Sequence, residues 1–140
     1  MQPMTEYLLL NNNNKLPEIS HLKPFRAIVV IENEVSSEWQ YKVSKWLVNS
    51  GCFYMMAWGK ECSSWDDSVD FANVELSENF EVTDENLVMT TWHENDPIEK
   101  VFEFAKIPAL FMNPELKNLL ILHIANESKE QQFKTMYQVA

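Results

Sequence analysis

The chain has 140 residues, 46% of them hydrophobic and 12% aromatic, with 21 Asp and Glu against 11 Lys and Arg for a formal net charge of −10. That length suits one domain, residues 1–140, with a core of its own; the five Trp and eight Phe residues exclude an acidic disordered chain, which would be poor in aromatics. The charge disfavours nucleic acid and anionic membrane surfaces as partners and favours a basic one.

Residues 1–26 read as an irregular N-terminal segment. Its one apolar run, Tyr7 to Leu10, has no basic residue before it, so neither a signal peptide nor a membrane span is read there, and a reduced cytoplasmic location is expected. Glu6 to Leu10 fits a turn of helix or an edge strand, Asn11 to Asn14 a loop, and Leu22 to Phe25 an approach to the first strand. Ala27 to Glu32 is that strand. Trp39, Val43, Trp46 and Leu47 then follow the i, i+4, i+7, i+8 spacing of a helix, with Ser37 and Gln40 as a capping box and Gly51 as the stop.

Cys52 to Trp58 forms the second strand. A second helix follows, with Ser64 as cap and Trp65, Val69 and Ala72 on its buried face, leaving Asp66, Asp67 and Asp70 solvated. Leu87 to Trp92 is the third strand. A third helix opens with Asp96 as N-cap, Pro97 at N1 and Glu99 at N3, carries Ile98, Val101, Phe102 and Ala105 on one stripe, and stops at Pro108. Leu119 to Ala125 is the fourth strand, and a last helix, capped by Ser128 and Gln131, carries Phe133, Met136, Tyr137 and Ala140.

The strand runs are continuously apolar, as expected for strands covered on both faces. Alternation of such runs with helical stripes predicts a three-layer α/β domain: a mostly parallel four- to five-stranded sheet with helices on both faces, Rossmann-like or flavodoxin-like.

In a parallel sheet the loops after the strands emerge at one edge, where open α/β proteins bind ligands. That edge collects Glu32, Asn33 and Glu34, then the segment Lys60 to Asp67, then His93 to Asp96. The acids are also unevenly spread: Asp66 to Glu103 holds twelve acids and one base, Lys100, whereas the rest of the chain holds nine acids and ten bases. Each group has a plain structural role as well. Asp67 and Asp96 suit helix N-termini, and Asp66, Asp67 and Asp70 together suit a solvated helix face.

His93 beside Glu94 and Asp96 invites metal binding or general acid/base work, but His-Glu-Asn-Asp is no ligand spacing of known geometry, and no metal or cofactor is expected. Cys52 reads as a small core residue. Cys62 reads as the more exposed thiol, in a polar loop without a nucleophile elbow. With only Gly51 and Gly59 in the chain, and Glu32-Asn33-Glu34 after the first strand, a phosphate-cradling glycine turn is missing, which argues against a dinucleotide. Trp65 and Trp92, at element ends, are candidates for a half-exposed interface anchor.

The segments VNSGCFYMMAWGKECSSWDDSVDFAN and TTWHENDPIEKVFEFA resemble an uncharacterised bacterial domain family associated with toxin-immunity loci, over about Ile28 to Ala105. The resemblance implies a bacterial cytosolic protein and brings no active-site residues. The expected function is an acidic inhibitor, an immunity protein or antitoxin that covers the cationic site of a basic toxin such as a nuclease, through Glu61, Trp65, Asp66, Asp67, Asp70, His93, Glu94 and Asp96. The alternative is a small hydrolase or transferase that uses the carboxylates and His93 at the strand ends.

Overall fold

A computed structural model describes residues 2–140. Its strands are β1 (Thr5–Leu10), β2 (Phe25–Ile31), β3 (Cys52–Gly59), β4 (Met89–Trp92) and β5 (Asn118–Ile124). They form one five-stranded sheet of order β1-β5-β2-β3-β4 in which every pair is parallel. The helices are α1 (Ser37–Asn49), α2 (Cys62–Glu75), α3 (Ile98–Phe104), a π-helical stretch (Ala105–Ala109) running into α4 (Leu110–Met112), and α5 (Glu130–Val139). The expected three-layer architecture is therefore present. Val43 and Leu47 of α1 and Trp65 and Val69 of α2 pack on one face of the sheet. Val101 and Phe102 of α3, Ala105 and Ala109 of the π-helical stretch and Phe133 of α5 pack on the other.

The N-terminal segment resolves as the edge-strand alternative. Thr5–Leu10 pairs with Leu119–Ile124 in β5, and a 3₁₀ turn (Ser20–Leu22) leads into β2. β2 is buried along its whole length, which explains a run with no polar alternation.

Helix ends differ from expectation in instructive ways. Ser36, one residue before the expected cap, holds the Trp39 N–H on its side chain at 3.2 Å. Gly51 does end α1, at φ 101°, with Lys23 packed so closely that a Cβ there would collide with its side chain. α2 begins at Cys62, two residues before Ser64, with Glu61 as its left-handed N-cap (φ 55°). The preceding Gly59 (φ 111°) lies against the Ile31 carbonyl, where a Cβ would come within 2.2 Å. Only glycine lets β3 turn there.

For α3 the N-cap is Pro97 rather than Asp96, without a capping side chain. Pro108 does not stop this helix. The missing N–H is absorbed by widening to π geometry over Ala105–Ala109, and the chain stays helical to Met112. Arg26, 1% exposed, anchors the detour: it donates to the Ala105 carbonyl (2.7 Å), to Leu116 O (2.6 Å), to Lys117 O (3.0 Å) and to the Tyr137 hydroxyl (3.1 Å). α5 opens at Glu130 after Lys129, and Ser128 Oγ accepts from the Glu130 N–H at 3.2 Å.

Candidate partner-binding site

The acidic segments meet around β4, the short strand that closes one side of the sheet. α2 packs on one face of this strand, and Thr90 Oγ1 donates to Asp70 Oδ1 at 2.7 Å. The β4–α3 loop, which carries Glu94 and Asp96, is held from β3, because the Trp58 indole N–H donates to the Asp96 carbonyl at 2.7 Å. The first turn of α2 lies beside the same loop: burial raises the Cys62 thiol pKa, and the Glu94 charge adds to the effect. Glu61, Asp67, Asp70, Glu94 and Asp96 are all exposed in this region. The structure thus brings five of the eight expected contact residues to one end of the sheet as surface carboxylates.

The other three differ. Trp65 is fully buried and stacks edge-on with Trp39 at 6.5 Å, so it is a core residue and not an anchor. Trp92, 50% exposed, takes that place. Asp66 is not on the solvated face: it is 5% exposed, and its Oδ1 has no hydrogen-bond partner among the described residues. Burial raises its pKa, and the Asp70 and Asp67 charges add to the rise against a Thr90 hydrogen bond. The reason is helical period. Cys62, Trp65, Asp66, Val69, Ala72 and Asn73 form one buried stripe at i, i+3, i+4, i+7, i+10, i+11.

His93 turns to the opposite face of β4, over Phe104 at 5.0 Å between ring centroids. Its Nε2 meets Thr91 Oγ1 at 2.9 Å and its Nδ1 lies 3.6 Å from Asp96 Oδ2. Burial lowers its pKa against the opposing pull of Asp96. Both cysteines are buried, Cys62 included, contrary to its expected exposure. Burial pushes the Cys52 thiol up to about 12, far from a thiolate nucleophile.

A second polar cluster went unread in the sequence. His123, buried inside β5, takes the Tyr7 hydroxyl on Nδ1 at 2.7 Å; its Nε2 lies 3.3 Å from Glu32 Oε2, at ion-pair distance but out of hydrogen-bond alignment. Lys129 Nζ holds Glu32 Oε1 at 2.6 Å, and the Lys129 N–H donates to Tyr7 Oη at 3.1 Å. Burial lowers the His123 pKa against the pull of Glu32. Burial also raises the Glu32 pKa, but Lys129 and His123 together outweigh it and leave that carboxylate low. The signal was a lone His within a continuous apolar strand.

At the ends of β2 and β3 a cavity of about 350 Å³ opens between the N-termini of α1 and α2, lined among others by Glu34, Gln40, Lys60, Glu61 and Ser64. Two helix N-termini favour an anion, but Glu34 and Glu61 oppose one. Among the described residues no group of three or more His, Cys, Asp and Glu is placed to hold a metal ion, and no helix is long and apolar enough to cross a membrane.

Fold and surface together define an open parallel α/β domain with a carboxylate-rich edge. The chain belongs to the family described as Domain of unknown function (DUF7684), whose model matches residues 5–140. No curated protein and no solved structure matches it.

Proposed function

We propose that the protein is a small acidic binding protein of the immunity or antitoxin kind, whose β4 end covers the cationic site of a basic toxin. A nuclease is the partner whose chemistry fits best, because a site built to hold phosphates presents the positive field that spaced carboxylates complement. The observation that carries this reading is the clustering of Glu61, Asp67, Asp70, Glu94 and Asp96 as exposed acids around one short strand with a half-exposed Trp92. The resemblance to an uncharacterised bacterial domain family associated with toxin-immunity loci points the same way and, with it, to a bacterial cytosolic protein. The alternative of a small hydrolase or transferase using the carboxylates and His93 is less well supported, since the His93 side chain is only 11% exposed and its Nε2 is taken by Thr91 Oγ1 at 2.9 Å.

The test is affinity capture from source cells with wild type and an Asp67→Lys/Glu94→Lys/Asp96→Lys variant side by side. A basic protein held by wild type and lost by the variant is the expected result. Retention of the same proteins by both would overturn the reading.

A further inference from the structure

The free side of β4 carries more than charge. Among the described residues β4 pairs only with β3. The His93 N–H donates to the Ala57 carbonyl on β3 at 3.0 Å, so strand alternation turns the N–H and C=O groups of Trp92 and Thr90 away from β3. One step earlier, the Val88 N–H is already taken by the Asn73 side chain at 2.9 Å. Among the described residues, neither of the two that follow on that side, Thr90 and Trp92, has a backbone partner. Natural edge strands are shortened and flanked by charge to prevent pairing with the wrong chain. Here the strand is short and the flanking charge has a single sign, which repels acidic segments and admits basic ones.

Side chains on the two faces of this edge set a pattern for the incomer. On the α2 face stand Thr90 and Trp92, beside Asp70. On the opposite face a cavity of about 320 Å³ has an apolar floor of Phe53, Leu87, Met89 and Leu116, with Asp84, Glu85 and Glu115 in its lining and no Lys or Arg. Leu87 and Met89 are 42% and 40% exposed.

Building on the partner-binding reading, we infer that the partner docks an extended segment with alternating basic and apolar residues as a sixth strand on β4. Its main chain pairs with Thr90 and Trp92, its Lys or Arg side chains face Asp70 and Asp67, and its apolar side chains enter the Phe53–Leu116 cavity, whose acidic lining adds to the field. This is β-strand addition: main-chain hydrogen bonds supply affinity, and alternate side-chain sites supply selection.

The probe is an acetylated, amidated decapeptide of alternating Lys and Val, titrated into the intact protein while Trp fluorescence and amide hydrogen exchange are followed. Thr90→Pro removes an outward N–H without breaking a β3–β4 bond, a position that tolerates proline on an edge strand. Thr90→Val controls for the lost hydroxyl. Expected are saturable binding, exchange at the Thr90 and Trp92 amides slowed about 10-fold or more, and affinity weakened about 10-fold by Thr90→Pro but little by Thr90→Val. The exchange result on wild type stands even if Thr90→Pro folds poorly. Should the peptide bind and depend on Asp67, Glu94 and Asp96 yet leave both amides unprotected, strand addition is wrong and the acidic-surface reading survives. Binding unaffected by reversal of those acids contradicts both, and no binding at millimolar peptide overturns strand addition.

Discussion

The two ends of the sheet treat their acids in opposite ways. At the β1–β5–α5 end three acids have a basic neighbour: Glu32 has Lys129, Glu130 has Lys134 and Glu6 has His21. At the β4 end the pair of fixed charges among the described residues is Lys100–Glu103; His93 lies 3.6 Å from Asp96 with its pKa lowered by burial, and the other exposed acids there stand without a base. Paired charges pin elements together locally, whereas unpaired charges of one sign project a field outward and steer encounter. The first arrangement belongs to the fold, and the second is consistent with a surface kept for a partner.

The sharpest way to probe this difference is beneath the acidic surface. Trp65→Ala is expected to cost about 3 to 5 kcal/mol of unfolding free energy, measured by denaturant melts, because a fully buried indole leaves a cavity. A cost near zero would return Trp65 to the surface and undo the distinction between core and contact residues.

At the paired end, His123→Ala should cost about 2 to 4 kcal/mol, because it empties a fully buried position and leaves the Tyr7 hydroxyl without its acceptor. His123 also sets a pH signature. Its folded pKa is lowered, so below the ordinary histidine range the unfolded chain takes up a proton that the folded chain resists, and stability falls with falling pH toward the folded value. His93 has the same sign. Wild-type melts across that range should show the loss, and His123→Ala should reduce its slope.

Asp66 has the opposite sign. Its folded pKa is raised, so the folded chain holds the proton longer, and the cost of ionising it grows as pH rises from the unfolded value to the folded one. Asp66→Asn is expected to stabilise the protein near pH 7 by on the order of 1 kcal/mol, an advantage that disappears in acid. A destabilising Asn would mean that the carboxylate has a role in the folded state beyond its place in the buried stripe.

The smallest effect is expected at the exposed acids. Lys at Asp67, Glu94 or Asp96 should change stability by no more than about 0.5 kcal/mol each, with binding as the property that moves. Larger losses would place these acids with the fold-building charges of the other end.

The sheet was legible because β2, β3 and β5 are buried on both faces and therefore read as uninterrupted apolar runs. β1 was ambiguous, since a short run such as Thr5–Leu10 suits a helical turn equally well until β5 is beside it. The helix through Pro108 was hidden because its continuation depends on Arg26, a contact 79 residues away in sequence. At the site, the acidic region was legible from charge alone. Asp66 was misplaced because its helical face was judged from charge, although the Cys62, Trp65 and Val69 spacing already put it in the buried stripe. His123 was overlooked because hydropathy averages a single imidazole away, while the partners that give it meaning, Tyr7 and Glu32, lie 116 and 91 residues distant.

The most direct test of the acidic surface is the association rate with the captured partner as a function of ionic strength, for wild type and the Asp67→Lys/Glu94→Lys/Asp96→Lys variant. Steering by unpaired carboxylates predicts a fast wild-type rate that falls steeply with salt, and a variant at least about 10-fold slower at low salt with a flatter dependence. Equal rates with equal salt slopes would contradict it.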